Sequence, residues 1–275
     1  MAAASRPSVG LVGFGSVGGY LVGRFNDGAL PEAELVAITA NDLEGARRRL
    51  ARYPSLRADI VPLQDLIARS DIVVECATAD AFPAIARAVL EQGRTLLVLS
   101  AAGIVNFPDI VAFAQRHGGR LRLASGALPG LDQVRSAAEG SIRKVKLNAR
   151  IKPSTFVGEP YLERQGYDFR IPLAAPMRVF HGSAREVAAA FPRHFNVAIS
   201  LSLAGVGFDR TEVEVWADPE VPGAVHNIEL EADEVVLSMT TRNRPSEANP
   251  KTSRIIGPSV LAALRSMVAT LHVGS

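Results

Sequence analysis

At 275 residues the chain has room for two domains or one large one, since a domain commonly takes about 150 residues. A hydrophobic share of 48% beside 21% charged residues excludes a disordered or collagen-like polymer, and a single cysteine, Cys76, excludes an intrachain disulfide framework. Thirty basic against 28 acidic side chains leave a net charge of +2, too even a balance for a nucleic-acid or membrane surface. No apolar run reaches the ~18 residues of a membrane helix. The expectation is a soluble, cytoplasmic protein without nucleic-acid or membrane partners.

The chain opens with a short apolar run, Val9-Gly10-Leu11-Val12, followed by Gly13-Phe14-Gly15-Ser16-Val17-Gly18 and a helix-compatible stretch. This predicts a strand, a glycine turn and a helix. Further apolar runs at 35–38, 72–74, 96–99 and 121–124 alternate with helix-period segments around 43–51, 81–91 and 107–117. Runs apolar throughout suit strands covered on both faces, and their alternation with helices predicts a Rossmann-type doubly wound parallel sheet over residues 1–125. After the turn Gly126-Ala127-Leu128-Pro129-Gly130, segments 142–151, 198–203, 212–216, 225–231 and 234–239 read as strands, several of them alternating, with a helix at 183–190. Alternation implies one wet face, hence a second α+β domain over 126–245 with a largely antiparallel open sheet. A polar connector at 242–251 leads to a closing helix at 260–271, so that 246–275 forms a C-terminal helical segment returning to the first domain. Pro258 should break any helix begun at Thr252.

The glycine motif carries a specific chemistry. Gly13 permits a tight turn, Gly15 lets backbone N–H groups approach a pyrophosphate, and Gly18 lets the helix pack against the sheet, with Ser16 and Val17 at the positive helix end. A dinucleotide is the expected ligand. NAD and NADP are distinguished near the end of the second strand, where this chain offers Thr39-Ala40-Asn41-Asp42. With Asn41 in the place of the usual acid a 2′-phosphate meets no fixed repulsion, and Arg47, Arg48 or Arg49 could reach it; an inward Asp42 would favour NAD. The expectation is that both coenzymes serve. The small-residue loops holding Ala77 and Ala102 follow the next strands and leave room for a nicotinamide ring.

Of the five histidines, His117 and His181 sit beside glycines at expected exposed positions, His272 lies near the C-terminus and is not expected to be catalytic, and His194 lies in a loop that could line a cleft. His226 shares the apolar alternation of Ile228 and Leu230, so it is either a satisfied core group or a poised acid/base. No metal-ligand spacing and no Gly-x-Ser-x-Gly elbow competes, which leaves hydride chemistry borne by a cofactor, with no metal.

Together the glycine motif, Ser125-Gly126-Ala127 to Gly130, Phe191-Pro192 with Asn196-Val197-Ala198, Val225-His226-Asn227-Ile228-Glu229, and Asn249-Pro250-Lys251-Thr252-Ser253 are similar to the L-aspartate dehydrogenase family. The resemblance implies a Rossmann domain followed by a substrate and dimerisation domain, and NAD(P)-dependent oxidation of L-aspartate to iminoaspartate, which yields oxaloacetate and ammonia or feeds NAD biosynthesis. It places His226 at the active-site histidine and Ala127 and Asn196 at coenzyme contacts. Hypothetical donors to the substrate carboxylates are Lys152, Ser154, Lys251, Thr252 and Ser253. His194 departs from the small polar residue expected there. A homodimer is expected from an open sheet face. The alternatives are a reductase of another amino or imino dicarboxylate, of the dihydrodipicolinate reductase type, and a dinucleotide sensor without turnover.

Overall fold

The computed structural model describes residues 6–192, 194–247, 249 and 252–274. The chain divides into two compact units, one ending at Ala124 and taking in Gly257–Val273, the other running Ser125–Ile256.

The first unit follows a strict alternation: β1 (Ser8–Val12), α1 (Ser16–Asn26), β2 (Glu34–Thr39), α2 (Leu43–Leu50), β3 (Asp59–Ile60), α3 (Leu63–Arg69), β4 (Ile72–Glu75), α4 (Phe82–Glu91), β5 (Thr95–Val98), α5 (Ile110–His117) and β6 (Arg120–Leu123). The strands form one sheet in the order β3-β2-β1-β4-β5-β6, every pair parallel. This is the doubly wound arrangement predicted from the sequence. The order reverses between β1 and β4, where ligands of open parallel sheets bind beyond the carboxyl ends. Every residue of β4 is buried, as expected for a strand covered on both faces. β3 is only two residues long, too short for any periodicity to announce it.

The last helix of the chain packs on this unit's core through Val260, Leu261 and Leu264, joining Val9, Leu11, Leu21 and Val22. It begins at Ile256 and ends at Val268, so Pro258 lies in its first turn, where a missing N–H costs nothing. The helix therefore starts just before the proline instead of breaking at it.

The second unit holds α6 (Leu131–Ala138), β7 (Ile142–Ile151), α7 (Pro160–Arg164), β8 (Met177–Ser183), α8 (Ala184–Ala190), α9 (Asn196–Ala204), β9 (Thr211–Ala217), β10 (Val225–Ala232) and β11 (Val236–Arg242), after which comes α10 (Ile256–Val268), the helix just described. Its sheet runs β11-β10-β7-β9-β8, antiparallel except for the β7/β9 pair. One expected strand is overturned: residues 198–203 lie inside α9. That stretch is apolar nearly all round, with Ala198, Ile199 and Leu201 buried, and a uniformly apolar run has no period to separate helix from strand. Ser202 lies within it, buried, its hydroxyl donating to the Ala198 carbonyl four residues back at 2.8 Å. β8 was not among the expected strands.

Alternation along the sheet puts Val145, Leu147, Val213, Val215, Ile228 and Leu230 on the buried face. The opposite face is a lattice of charges in which Lys146 reaches Glu212 at 3.3 Å and Glu214 at 3.2 Å, while Arg150 meets Asp218 at 2.7 Å. The α8 entrance carries a reciprocal cap: the Ser183 hydroxyl accepts from the Glu186 N–H, and the Glu186 carboxylate accepts from the Ser183 N–H. Ser183→Ala is expected to cost about 1 kcal/mol, read as a lower denaturant midpoint; an unchanged midpoint would show the cap to be idle. Among the described residues no helix is long and apolar enough to cross a membrane.

Candidate functional site

At the carboxyl end of β1 the chain turns at Gly13, whose φ of +99° is open to glycine alone at little cost. The Gly13 N–H donates to the Thr39 carbonyl at 2.8 Å, and a Cβ there would stand 2.6 Å from the Cys76 carbonyl. A Cβ at Gly18 would lie 2.1 Å from the Gly13 carbonyl, so α1 packs directly on the turn. Gly15 differs: a Cβ there meets nothing within 4 Å, and Gly15 caps α1 with no side chain satisfying the helix N–H groups. Backbone donors at a positive helix end, beside space kept clear by a missing side chain, suit a diphosphate. The donor set therefore fits a dinucleotide, with Ser16 and Val17 opening the helix.

Asn41, Ala77 and Ala102 follow β2, β4 and β5, so all the coenzyme candidates of this unit lie along one edge of the sheet. Asn41 is exposed. Asp42 is taken up locally: its carboxylate accepts from the Gly45 N–H at 2.8 Å as the cap of α2. Arg47 pairs with Glu44, and the Arg49 guanidinium lies 4.9 Å over the ring of Phe14, inside the glycine motif. Beside Ala77, burial and the neighbouring Glu75 carboxylate push the Cys76 thiol up, which opposes any thiolate chemistry.

In the second unit His226 is 4% exposed, one residue inside β10, opposite Ala149 of β7 and Thr241 of β11. Its surroundings form a closed ring of hydrogen bonds. The Thr241 hydroxyl donates to the Ala127 carbonyl at 3.3 Å and accepts from the Asn243 amide at 3.2 Å. That amide nitrogen also stands 3.3 Å from His226 Nδ1. The ring also hydrogen-bonds the Ala127 backbone, a contact that favours its protonated form. Burial holds the imidazole pKa at about 4, partly opposed by the Ala127 carbonyl, so the ring is neutral at pH 7. Ala127 and His226 were singled out from the sequence; Asn243, buried and two residues beyond Thr241, was not. A polar residue just past an edge strand carries no signal of its own.

The ends of β7 and β11 and the start of β10 lie at one end of the sheet, because Val225 pairs with both Arg150 and Arg242. Lys152 and Ser154, both exposed, follow β7 at that end. Thr252 and Ser253 return to the segment after β11: Ser246 N–H donates to the Thr252 carbonyl at 2.7 Å, and Ser253 bridges Pro245. Ser253 also accepts from the Ile256 N–H at 3.2 Å, at the start of the last helix. Lys251 lies outside the described residues. Asn196 belongs to a different element, as the first residue of α9. His194 sits 3.3 Å from the buried Glu159 carboxylate. His181, Glu212 and Glu214 place three ligand-type atoms within 4.8 Å of one another, but Lys146 already neutralises both carboxylates.

Two family models match in succession: the NAD-binding domain of homoserine dehydrogenase over residues 13–124, and the C-terminal domain of aspartate dehydrogenase over 132–267. An L-aspartate dehydrogenase of Bordetella bronchiseptica is 40% identical, covering 100% of both chains. One from Bradyrhizobium diazoefficiens is 39% identical over 99% of this chain and 96% of its own. Among solved structures, the aspartate dehydrogenase of Thermotoga maritima shares the fold with a TM-score of 0.70 at 20% identity, covering 98% of this chain and 100% of that one.

Proposed function

Since the chain belongs to the L-aspartate dehydrogenase family of NAD(P)-dependent oxidoreductases, we propose that it oxidises L-aspartate to iminoaspartate, and thence to oxaloacetate and ammonia, with His226 moving the protons. The observation that carries this reading is the neutral, buried imidazole whose Nδ1 faces the Asn243 amide; it takes a proton there as that amide, which also binds Thr241, gives way. The nicotinamide, when bound, takes the hydride from the substrate Cα. The chain's own groups do the rest. Gly13, Gly15, Ser16, Val17 and Gly18 hold the diphosphate, and Ala77 and Ala102 leave space for the coenzyme; the family resemblance assigns coenzyme contacts to Ala127 and Asn196 as well. Lys152, Ser154, Lys251, Thr252 and Ser253 are the proposed donors to the two substrate carboxylates.

A ring with a pKa of about 4 is a weak base by itself. The two carboxylates of the substrate favour the imidazolium and move that pKa toward the working range. The Ala127 carbonyl then accepts from a charged ring, a stronger bond than the neutral one. The same imidazole can afterwards activate the water that attacks the imine. The first unit in this reading is the coenzyme domain, the second the substrate and dimerisation domain, and the protein works as a cytoplasmic homodimer that supplies NAD biosynthesis.

Purified protein with NAD+ or NADP+ should reduce the coenzyme in the presence of L-aspartate in preference to other amino acids, and oxidise it with oxaloacetate plus ammonia. Coenzyme binding without aspartate-dependent reduction would return the sensor reading. Faster turnover of another dicarboxylate would favour the reductase.

Coenzyme choice follows from the strand-end residues. With Asp42 engaged as a helix cap and Asn41 neutral, no carboxylate is free to accept from a ribose 2′-OH and so favour NAD, and both coenzymes should serve. Asn41→Asp is expected to shift the ratio of kcat/KM values toward NAD by about tenfold, the effect of one close like charge on a 2′-phosphate. An unmoved ratio would place the discriminating contact elsewhere.

A further inference from the structure

Glu75 has no part in the scheme above, yet its setting is unusual. It closes β4 with 0% exposure, between the apolar strand neighbours Val12 and Val98. Among the described residues no cation pairs with it. Both carboxylate oxygens instead collect backbone donors: Ala77 N–H reaches Oε1 at 2.7 Å, while Leu99 N–H at 3.3 Å and Ser100 N–H at 2.9 Å reach Oε2. The Ser100 hydroxyl then donates to the Ala77 carbonyl at 2.9 Å. One side chain thus ties the loop after β4 to the loop after β5, the two loops that carry Ala77 and Ala102. β4 also borders the point where the strand order reverses, the place where a dinucleotide lies in such sheets.

Burying a carboxylate without a counter-ion is costly and burial pushes its pKa up, while the three N–H donors on its two oxygens favour the ionised form. Backbone donors offset part of that cost but supply no full positive charge. Oxidised nicotinamide does supply one: its ring is cationic, and the reduced ring is neutral. The other titratable group beside Glu75 is the Cys76 thiol, which stays protonated and adds no charge.

We propose that Glu75 is a positioning residue that locks the two coenzyme-flanking loops together and, as a buried anion without a protein counter-cation, makes the protein favour the oxidised over the reduced nicotinamide coenzyme. This rests on coenzyme binding alone; the identity of the amino-acid substrate does not enter it, so failure of aspartate turnover leaves it standing.

The test is direct titration of the full-length protein with NAD+ by calorimetry and with NADH by nicotinamide fluorescence. Glu75→Gln removes the charge at nearly constant volume. NAD+ affinity should fall by about tenfold more than NADH affinity, the scale of one charge interaction in a partly screened interior. Glu75→Asp and Ser100→Ala keep the charge and disturb the clamp, so they should weaken both coenzymes together and leave the NAD+:NADH ratio unchanged. Exchange of the Ala77, Leu99 and Ser100 amides in the coenzyme-free protein should quicken in each Glu75 variant. Equal losses for both coenzymes in Glu75→Gln would overturn the electrostatic part. Should that variant fail to fold, unaltered affinities in Glu75→Asp and Ser100→Ala would overturn the positioning part, and a ratio that moves in either would overturn the charge assignment.

Discussion

His226→Ala should lower kcat with L-aspartate by about a hundredfold to ten-thousandfold, the range that a positioned acid/base supplies, while NADH still binds with its original affinity. The split between turnover and coenzyme binding matters because this ring is also structural. Its removal takes one of two partners from the Asn243 amide and from the Ala127 carbonyl, each of which keeps Thr241, at a cost of about 0.5–1.5 kcal/mol. His226→Gln offers both a donor and an acceptor and so retains much of that network; it should fold nearly as well as the parent and remain as slow as the Ala variant. A Gln variant that kept most of its turnover would remove His226 from the chemistry and leave it a core residue.

The same burial makes a stability prediction. The ordinary imidazole value of 6.5 falls to about 4 in the folded protein, so between those pH values the unfolded chain binds more protons than the folded one. Stability that is fully present above pH 6.5 is then lost as the pH drops toward 4, by about 3 kcal/mol in all. Glu75 acts with the opposite sign, since its raised pKa adds stability on acidification. Subtracting the denaturation profile of His226→Gln from that of the parent isolates the imidazole, and the difference should appear only below about pH 6.5. A difference constant across the pH range would mean that the ring is not buried as a neutral group.

The second large effect concerns two neighbouring glycines that a motif treats alike. Gly18→Ala drives a methyl to 2.1 Å from the Gly13 carbonyl, so the backbone of the turn or of α1 must move. It should destabilise the fold by about 1–3 kcal/mol and lose coenzyme binding with it. Gly15→Ala meets nothing within 4 Å and keeps an ordinary backbone conformation, with φ −81° and ψ −150°. Its melting temperature should be unchanged. Its coenzyme affinity should fall by about a hundredfold, because the methyl stands where the diphosphate is proposed to approach the helix N–H groups and one charge-assisted contact of up to about 3 kcal/mol is forfeited. Undiminished coenzyme affinity in Gly15→Ala would show that the diphosphate does not lie on this turn.

The doubly wound sheet was legible because its central strands are short, apolar and separated by amphipathic helices, a pattern with few other solutions; the edge strands β3 and β6 carry no such signature. The alternation around His226 was legible for the same kind of reason: Ile228 and Leu230 are buried beside it, and Glu229 and Glu231 face outward. What failed was local period. Residues 198–203 look the same as helix or as strand when both faces are covered, and only the packing of α9 decides. Asn243 and Glu75 were hidden for a different reason. Each matters through atoms 17 or 25 positions away along the chain, His226 Nδ1 and the Ser100 N–H, and no spacing rule connects such pairs before the strands are in register.

At the entrance to α9, Phe195 has a φ of +59°, the one left-handed residue other than glycine among the described residues. A bulky residue in that conformation gives up about 1–2 kcal/mol that glycine would not. Its ring offsets the loss by lying 5.2 Å from that of Phe191, which in turn is 5.1 Å from Tyr161 and 6.2 Å from Phe156. The direction in which Asn196 leaves the turn is therefore set by a wedge of aromatic rings and not by the freedom of the backbone. Phe195→Gly would relax the main chain and slacken the wedge at once, so its effect on the coenzyme contact proposed for Asn196 should exceed its effect on melting.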